Sequence, residues 1–109
     1  MPQHSENESW IVKTGDLVIQ KKTRTGLSGL TKWEHLVYCL WVADYSMRNA
    51  GDIETARDVY LEFQKEGSRI AEELSLPLTH RAFSMPSDEL QLCYFEHFEA
   101  ICDEIRKRM

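Results

Sequence analysis

Apolar and polar positions alternate with a period that changes along the chain. Near the start, two short apolar runs, residues 10–12 and 17–19, lie on either side of Lys13-Thr14-Gly15-Asp16. Gly15 supplies the positive φ that a tight turn with a bulge requires, so this pattern predicts a β-hairpin over residues 9–20. The polar residues 1–8 that precede the hairpin are predicted to be disordered.

Two longer segments carry the apolar period of an α-helix. The first, residues 31–49, opens with Thr31 and Glu34 at the spacing of a capping box and is apolar on nearly every side, which predicts a central helix. The second, residues 52–75, has apolar positions at steady intervals of three and four, and Gly67 within this stripe predicts a close helix crossing. The stripe consists of Ile53, Ala56, Tyr60, Phe63, Gly67, Ile70 and Leu74.

A third helix is predicted over residues 87–107, with Leu90, Tyr94, Phe98, Ile101 and Ile105 facing inward. The short connection at residues 49–51 makes the first two helices antiparallel neighbours. The predicted fold is therefore mainly α: one domain over residues 1–109, with three principal helices in an antiparallel bundle and a short N-terminal β-hairpin packed on one side.

Composition and charge indicate the cellular compartment and the kind of partner. The three cysteines are an odd number in apolar surroundings, and the N-terminus lacks the basic and apolar regions of a secretory signal, so a cytoplasmic protein with reduced thiols is predicted. No apolar stretch is long enough for a membrane span. The net charge of −5 disfavours direct binding to nucleic acid and favours a basic protein partner.

Asp44 follows eight residues that are almost all apolar, so its carboxylate needs an explanation. Arg48 lies one helical turn later, in the favourable order for an ion pair between positions i and i+4. If Asp44 is buried, it requires this pair, a tyrosine hydroxyl or a backbone amide, because an unpaired buried carboxylate is very costly. A structural polar role for Asp44 and Arg48 is therefore predicted, and no spacing indicates a catalytic residue.

Two pairs of metal-ligand residues also have the i, i+4 spacing. His35 and Cys39 lie on the first helix, and Cys93 and His97 lie on the third. If the two helices face each other, these four side chains could form a tetrahedral zinc site. Buried cysteines are common without any metal, so the prediction is no metal and no cofactor, with this set kept as the alternative.

Four carboxylates follow one another at i+4 along the outer face of the second predicted helix: Glu54, Asp58, Glu62 and Glu66. At a rise of about 1.5 Å per residue, successive members are about 6 Å apart, which is close to the phosphate spacing of one nucleic-acid strand. This ladder is either a solvated face or a surface that binds a basic partner.

Residues 30–60 resemble a small helical family of unknown function that includes a bacterial DNA-mimic protein. The shared features are an apolar helix, an acidic residue, the turn Asn49-Ala50-Gly51 and a second helix. The family's aromatic residue just after the glycine is replaced by Asp52-Ile53 here. The resemblance implies an inhibitor-like binding role, and no functional residue is carried over from it.

The predicted function is non-catalytic protein binding, in the manner of an immunity protein, an antitoxin or an inhibitor, with the acidic helix face against a basic partner. One alternative is a small metal-binding or enzymatic domain that uses His35, Cys39, Cys93 and His97. Another is a subunit of a larger complex with Trp10, Trp33 or Trp41 as interface anchors. The sequence leaves the oligomeric state open.

Overall fold

A computed structural model of the protein describes residues 6–109, of which 84% are helical, and this described part contains no strand. The mainly α prediction is confirmed. The N-terminal β-hairpin is wrong, and so is the number of three principal helices, because residues 6–109 form six α-helices. The predicted disorder of residues 1–5 lies outside the described residues, whereas residues 6–8 begin a helix. The helices are α1 (Glu6–Thr25), α2 (Lys32–Asn49), α3 (Glu54–Val59), α4 (Phe63–Glu73), α5 (Pro77–Phe83) and α6 (Ser87–Arg108), with a 3-10 turn at Leu27–Gly29.

Helix α1 replaces the predicted hairpin because its buried stripe is only partly apolar. The buried residues are Asn7, Ile11, Gly15 and Val18, which follow one another at intervals of four and three. A pattern that counts only hydrophobic residues omits two members of this stripe, Asn7 and Gly15. Asn7 is buried because it donates from its side-chain nitrogen to Glu99 Oε1 (2.7 Å) and Asp103 Oδ1 (3.1 Å) on α6.

Gly15 serves close packing between α1 and α2, where a turn was predicted. A Cβ atom at this position would lie 2.4 Å from the Trp41 Cδ1 atom, so only glycine lets the two helices approach this closely. The helices run antiparallel, since Glu8 contacts Arg48 near one end and Lys21 contacts Glu34 near the other.

Helix α2 lies at the centre of the fold, with α1 on one side and α4 on another. The predicted capping box at its start is confirmed: Thr31 Oγ1 accepts from the Glu34 amide, and Glu34 Oε1 accepts from the Thr31 amide. Gly51, with φ of 76°, follows its last turn, as expected of a glycine that stops a helix.

The second predicted helix, residues 52–75, is two helices in the structure. Helix α3 ends at Val59, and Tyr60 has extended backbone angles (φ −153°, ψ 99°). The Tyr60 side chain accounts for this break, because its hydroxyl forms a hydrogen bond with His35 Nε2 (2.9 Å) and its ring packs against Tyr38. These contacts hold Tyr60 against α2, and the chain restarts as α4 at Phe63.

The apolar positions predicted for the core lie in the core. Most of the residues 52–75 stripe is buried, with Tyr60 and Leu74 partly so, and all five inward positions of α6 are buried. The close crossing predicted at Gly67 is confirmed, since a Cβ atom there would lie 2.9 Å from the Phe83 ring on α5. None of the helices formed by residues 6–109 combines the length and the apolar character that crossing a membrane would require.

Candidate functional site

Asp44 lies on the inward face of α2, with 4% of its surface exposed. Its Oδ1 accepts a hydrogen bond from the Tyr94 hydroxyl on α6 (2.8 Å). The Arg48 Nε–H group is shared between the two carboxylate oxygens, at 2.9 Å from Oδ1 and 3.0 Å from Oδ2. The predicted i, i+4 ion pair is therefore present, together with the tyrosine hydroxyl that a buried carboxylate requires.

Arg48 links three helices. Its Nη1 donates to Glu8 Oε1 on α1 (2.5 Å), and its guanidinium lies over the rings of Phe95 and Phe98 on α6, with its central carbon 5.1 and 4.9 Å from the two ring centroids. A planar guanidinium suits this position because it can stack on aromatic rings while its edge donates to carboxylates. Glu8 and Tyr94 complete the polar cluster. Their contacts with it could not be predicted from their spacing to Asp44 in the sequence.

Burial raises the pKa of the Asp44 carboxyl, and the hydrogen bonds from Tyr94 and Arg48 oppose this rise. Burial also raises the pKa of the Tyr94 phenol, and the adjacent Asp44 adds to the effect. A desolvated carboxylate with defined partners is one of the features by which functional sites are recognised, although structural clusters share it.

A cavity of about 300 Å³ opens between α1 and α2 beside this cluster. Asp44 and Arg48 line it from α2, and α1 contributes Glu8, Ser9, Val12 and Lys13. Val12 forms an aliphatic wall and is 58% exposed. The cavity therefore combines a buried carboxylate with an apolar surface, which is the usual composition of a small-molecule site.

The predicted acidic ladder does not follow one helix. Glu54 and Asp58 lie one turn apart on α3, Glu62 lies in the break before α4, and Glu66 lies on α4 itself. Only the first three carboxylates are exposed, and they form no hydrogen bond or ion pair with any residue from 6 to 109. We refer to residues 54–62 as the acidic segment.

Glu66, the fourth predicted member, is engaged elsewhere. It accepts from Arg69 Nε at 2.8 Å, and Arg69 also pairs with Glu73, which in turn accepts from Lys32 Nζ at 2.7 Å. The hydrogen bond from Arg69 lowers the pKa of Glu66. Glu66 is therefore part of an ion-pair network rather than of a free acidic face.

The acidic segment also exposes apolar side chains. Val59 is 43% exposed and Leu61 is 70% exposed, on either side of the inward-facing Tyr60. Because Tyr60 is held against α2, its two neighbours project from the fold. The segment thus presents two aliphatic side chains and three carboxylates that have no partner among residues 6–109, all within nine residues.

A polar groove of about 540 Å³ separates α3 from the start of α6. Its charged lining consists of Asp52, Glu54 and Asp88 together with Arg57, which donates to the Ser87 hydroxyl. Gln91 also lines the groove, and its Oε1 accepts from the Ile53 amide at 2.9 Å. The acidic character of α3 therefore continues onto α6.

The four candidate metal ligands are not assembled into a site. His35 Nε2 is engaged by Tyr60, Cys39 is fully buried, and the Cys93 thiol donates to the Glu89 carbonyl oxygen at 3.1 Å. No group of three or more His, Cys, Asp or Glu side chains within residues 6–109 could hold a metal ion.

The three tryptophans considered as interface anchors are only partly exposed, because each packs against the core. Trp41 stacks on Tyr45 and contacts Gly15, and Trp10 lies under the guanidinium of Arg106.

Comparisons with protein-family models, with curated proteins and with solved structures give no match, so the contacts described above are the basis for any function.

Proposed function

We propose that this protein is a non-catalytic protein-binding module, and that the acidic segment binds a basic partner. The observation that carries this proposal is that Glu54, Asp58 and Glu62 are exposed and have no ion-pair partner in the described part of the chain, while Glu66 and Glu73 nearby are held in ion pairs. Carboxylates without an intramolecular partner are available to pair with cationic side chains of another protein.

The exposed Val59 and Leu61 support a protein partner rather than a purely electrostatic contact. Apolar side chains at the centre of a charged surface provide the desolvated contacts from which interfaces gain most of their affinity. The groove between α3 and α6 adds Asp88 on α6 to the acidic surface that the partner meets. An inhibitor-like role in the cytoplasm, by occupation of a basic surface, agrees with the resemblance of residues 30–60 to the small helical family of unknown function that includes a DNA-mimic protein.

The test uses a charge-reversed variant and a matched control as baits in affinity capture with quantitative mass spectrometry. The first variant carries Glu54→Lys, Asp58→Lys and Glu62→Lys, and the control carries the same changes at Asp16, Glu72 and Glu96. All six positions are exposed, and both variants have the same net charge. A partner of the acidic segment is captured by the wild type and by the control, and is lost from the first variant.

Binding constants then quantify the loss. Because like charges brought together at an interface cost several kcal/mol, we expect the first variant to bind about 100-fold more weakly or worse. Wild-type binding should also weaken as salt rises, chiefly through slower association. Equal affinity of all three proteins, without salt dependence, would contradict the proposal.

A further inference from the structure

The cavity beside Asp44 is separate from the acidic segment, and its chemistry indicates a ligand of its own. The Asp44 carboxylate lines the cavity, and its two oxygens accept different numbers of hydrogen bonds. Among residues 6–109, Oδ1 accepts from Tyr94 and Arg48, whereas Oδ2 accepts only from the Arg48 N–H group that it shares with Oδ1. Since each carboxylate oxygen can accept two hydrogen bonds, Oδ2 retains acceptor capacity at a buried position.

The other lining groups determine which donor suits this position. Arg48 already donates to Asp44 and to Glu8, so its charge is balanced by two carboxylates within the cluster. Lys13 is exposed, and water screens its charge more strongly than that of the buried Asp44. An anion in the cavity would face Asp44 at close range, whereas a cation would be attracted to it.

Val12 sets the shape of the rest of the ligand. Its side chain forms the aliphatic wall of a cavity of about 300 Å³, which is the lower end of the size range of small-molecule sites. An apolar body of modest size can therefore cover Val12 while its polar end reaches Asp44. The Tyr94 hydroxyl holds the carboxylate in place, so the acceptor is preorganised for such a ligand.

We infer that this cavity binds a primary ammonium group carried on a short apolar body, with Asp44 Oδ2 accepting its hydrogen bond and Val12 contacting the body. This chemistry belongs both to small free amines and to the lysine side chain of another protein. The site is independent of the proposed function, because none of its lining residues belongs to the acidic segment.

The test is a titration of the isotope-labelled protein followed by its amide NMR spectrum. The probes are 2-phenylethylamine, the anion 3-phenylpropanoate, the neutral 2-phenylethanol, and N-acetyl-lysine N-methylamide as a lysine side chain. We expect saturable shifts at residues 12, 13, 44 and 48 with both amines, and at least ten-fold weaker binding of the anion and the alcohol. The amine with the higher affinity identifies whether a free amine or a lysine is the better ligand.

Two variants and one control place the binding in the cavity. Val12→Trp fills the cavity from an exposed position, and Asp44→Asn removes the charge, so each should weaken the binding of 2-phenylethylamine at least ten-fold. Leu17→Trp adds the same ring to the same helix at a site that is 66% exposed and does not line the cavity, and should leave binding unchanged. The amide spectrum of each variant shows whether it is folded.

Three results would overturn the inference: no saturable shift with either amine, binding of 3-phenylpropanoate as tight as that of the amines, or binding that Val12→Trp or a folded Asp44→Asn leaves intact. A failure of these titrations would leave the acidic segment untouched, and a failure of the acidic segment to bind a partner would leave the cavity untouched. The two proposals are therefore tested independently of each other.

Discussion

Asp44 and the carboxylates of the acidic segment are the same chemical group in opposite environments. Asp44 is almost fully buried and has partners on α2 and α6, whereas Glu54, Asp58 and Glu62 are exposed and have none among residues 6–109. For Asp44, desolvation makes every hydrogen bond important to stability. For the exposed carboxylates, water provides the solvation, so their charge costs the fold little.

This difference shows that the environment of a carboxylate, more than its spacing in the sequence, determines what it does. Asp44 and Arg48 have the same i, i+4 spacing as Glu54 and Asp58. The first pair is a buried cluster that joins α1, α2 and α6, and the second is a surface available to a partner. Substitutions in the two regions should therefore separate stability from binding.

The largest expected effect is that of Asp44→Ala. Removing one partner of a buried ion pair costs about 3–5 kcal/mol in general, and the lower end applies here because Arg48 is partly exposed and keeps Glu8. We expect the free energy of unfolding to fall by about 3 kcal/mol in urea denaturation. Asp58→Ala, the exposed control, should change it by less than about 0.5 kcal/mol.

Equal effects of these two substitutions would show that burial does not distinguish Asp44 from the exposed carboxylates. A loss below about 1 kcal/mol for Asp44→Ala would show that water reaches the cluster more freely than its burial indicates.

Tyr94→Phe tests one contact of the cluster and should have a smaller effect. It removes the hydroxyl that donates to Asp44 Oδ1 and leaves the ring packing of Tyr94 on Phe98 in place. A hydrogen bond to a charged group contributes about 1.5–3 kcal/mol, so a loss of about 2 kcal/mol is expected. In the Asp44→Asn background the same substitution should cost less, because the charged acceptor is already gone. Additive losses in this double-mutant cycle would contradict a direct coupling.

The smallest expected effect is a difference in pH dependence. Burial raises the pKa of Asp44 in the folded state, so the contribution of this group to stability is present below its unfolded pKa of about 3.9 and is lost as the pH rises through the folded value. The stability of the wild type relative to Asp44→Asn should therefore decline as the pH rises from about 3 to 7.

The contribution of Glu66 to stability should depend on pH with the opposite sign. Its hydrogen bond with Arg69 lowers its pKa, so its contribution to stability is present above its unfolded pKa of about 4.3 and is lost as the pH falls through the folded value. The stability of the wild type relative to Glu66→Gln should rise with pH. Denaturation midpoints of the three proteins across this pH range measure both slopes, and slopes of the same sign would contradict the assigned environments.

Much of the helical fold was predictable because it depends on local signals. The capping box at Thr31 and Glu34, the stop at Gly51 and the inward positions of α6 all follow from spacing within a few residues. The Asp44–Arg48 pair was predictable for the same reason. The Tyr94 hydroxyl was expected only as a class of partner, because α6 is brought to Asp44 by the tertiary fold.

The prediction of the first segment was wrong because its buried stripe depends on partners distant in sequence. Asn7 is buried where Glu99 and Asp103 accept its hydrogen bonds and Arg106 donates to it, and Gly15 is buried where Trp41 packs against it. Without those contacts, the same residues show two apolar runs around a turn-forming glycine. The break at Tyr60 has a similar cause, since His35 and Tyr38 hold the side chain of Tyr60 out of the helical path.

The amino-acid sequence alone specifies that the chain is mainly helical, that it is acidic, and which apolar residues of the 52–75 stripe and of α6 face the core, because these properties depend on composition and on short-range period. The packing of the helices determines which carboxylates of residues 6–109 are buried, paired or exposed. It also creates the cavity between α1 and α2. Burial and ion pairing depend on groups that lie up to 99 positions apart, as Asn7 and Arg106 do. Distances of that kind are fixed only when the helices pack.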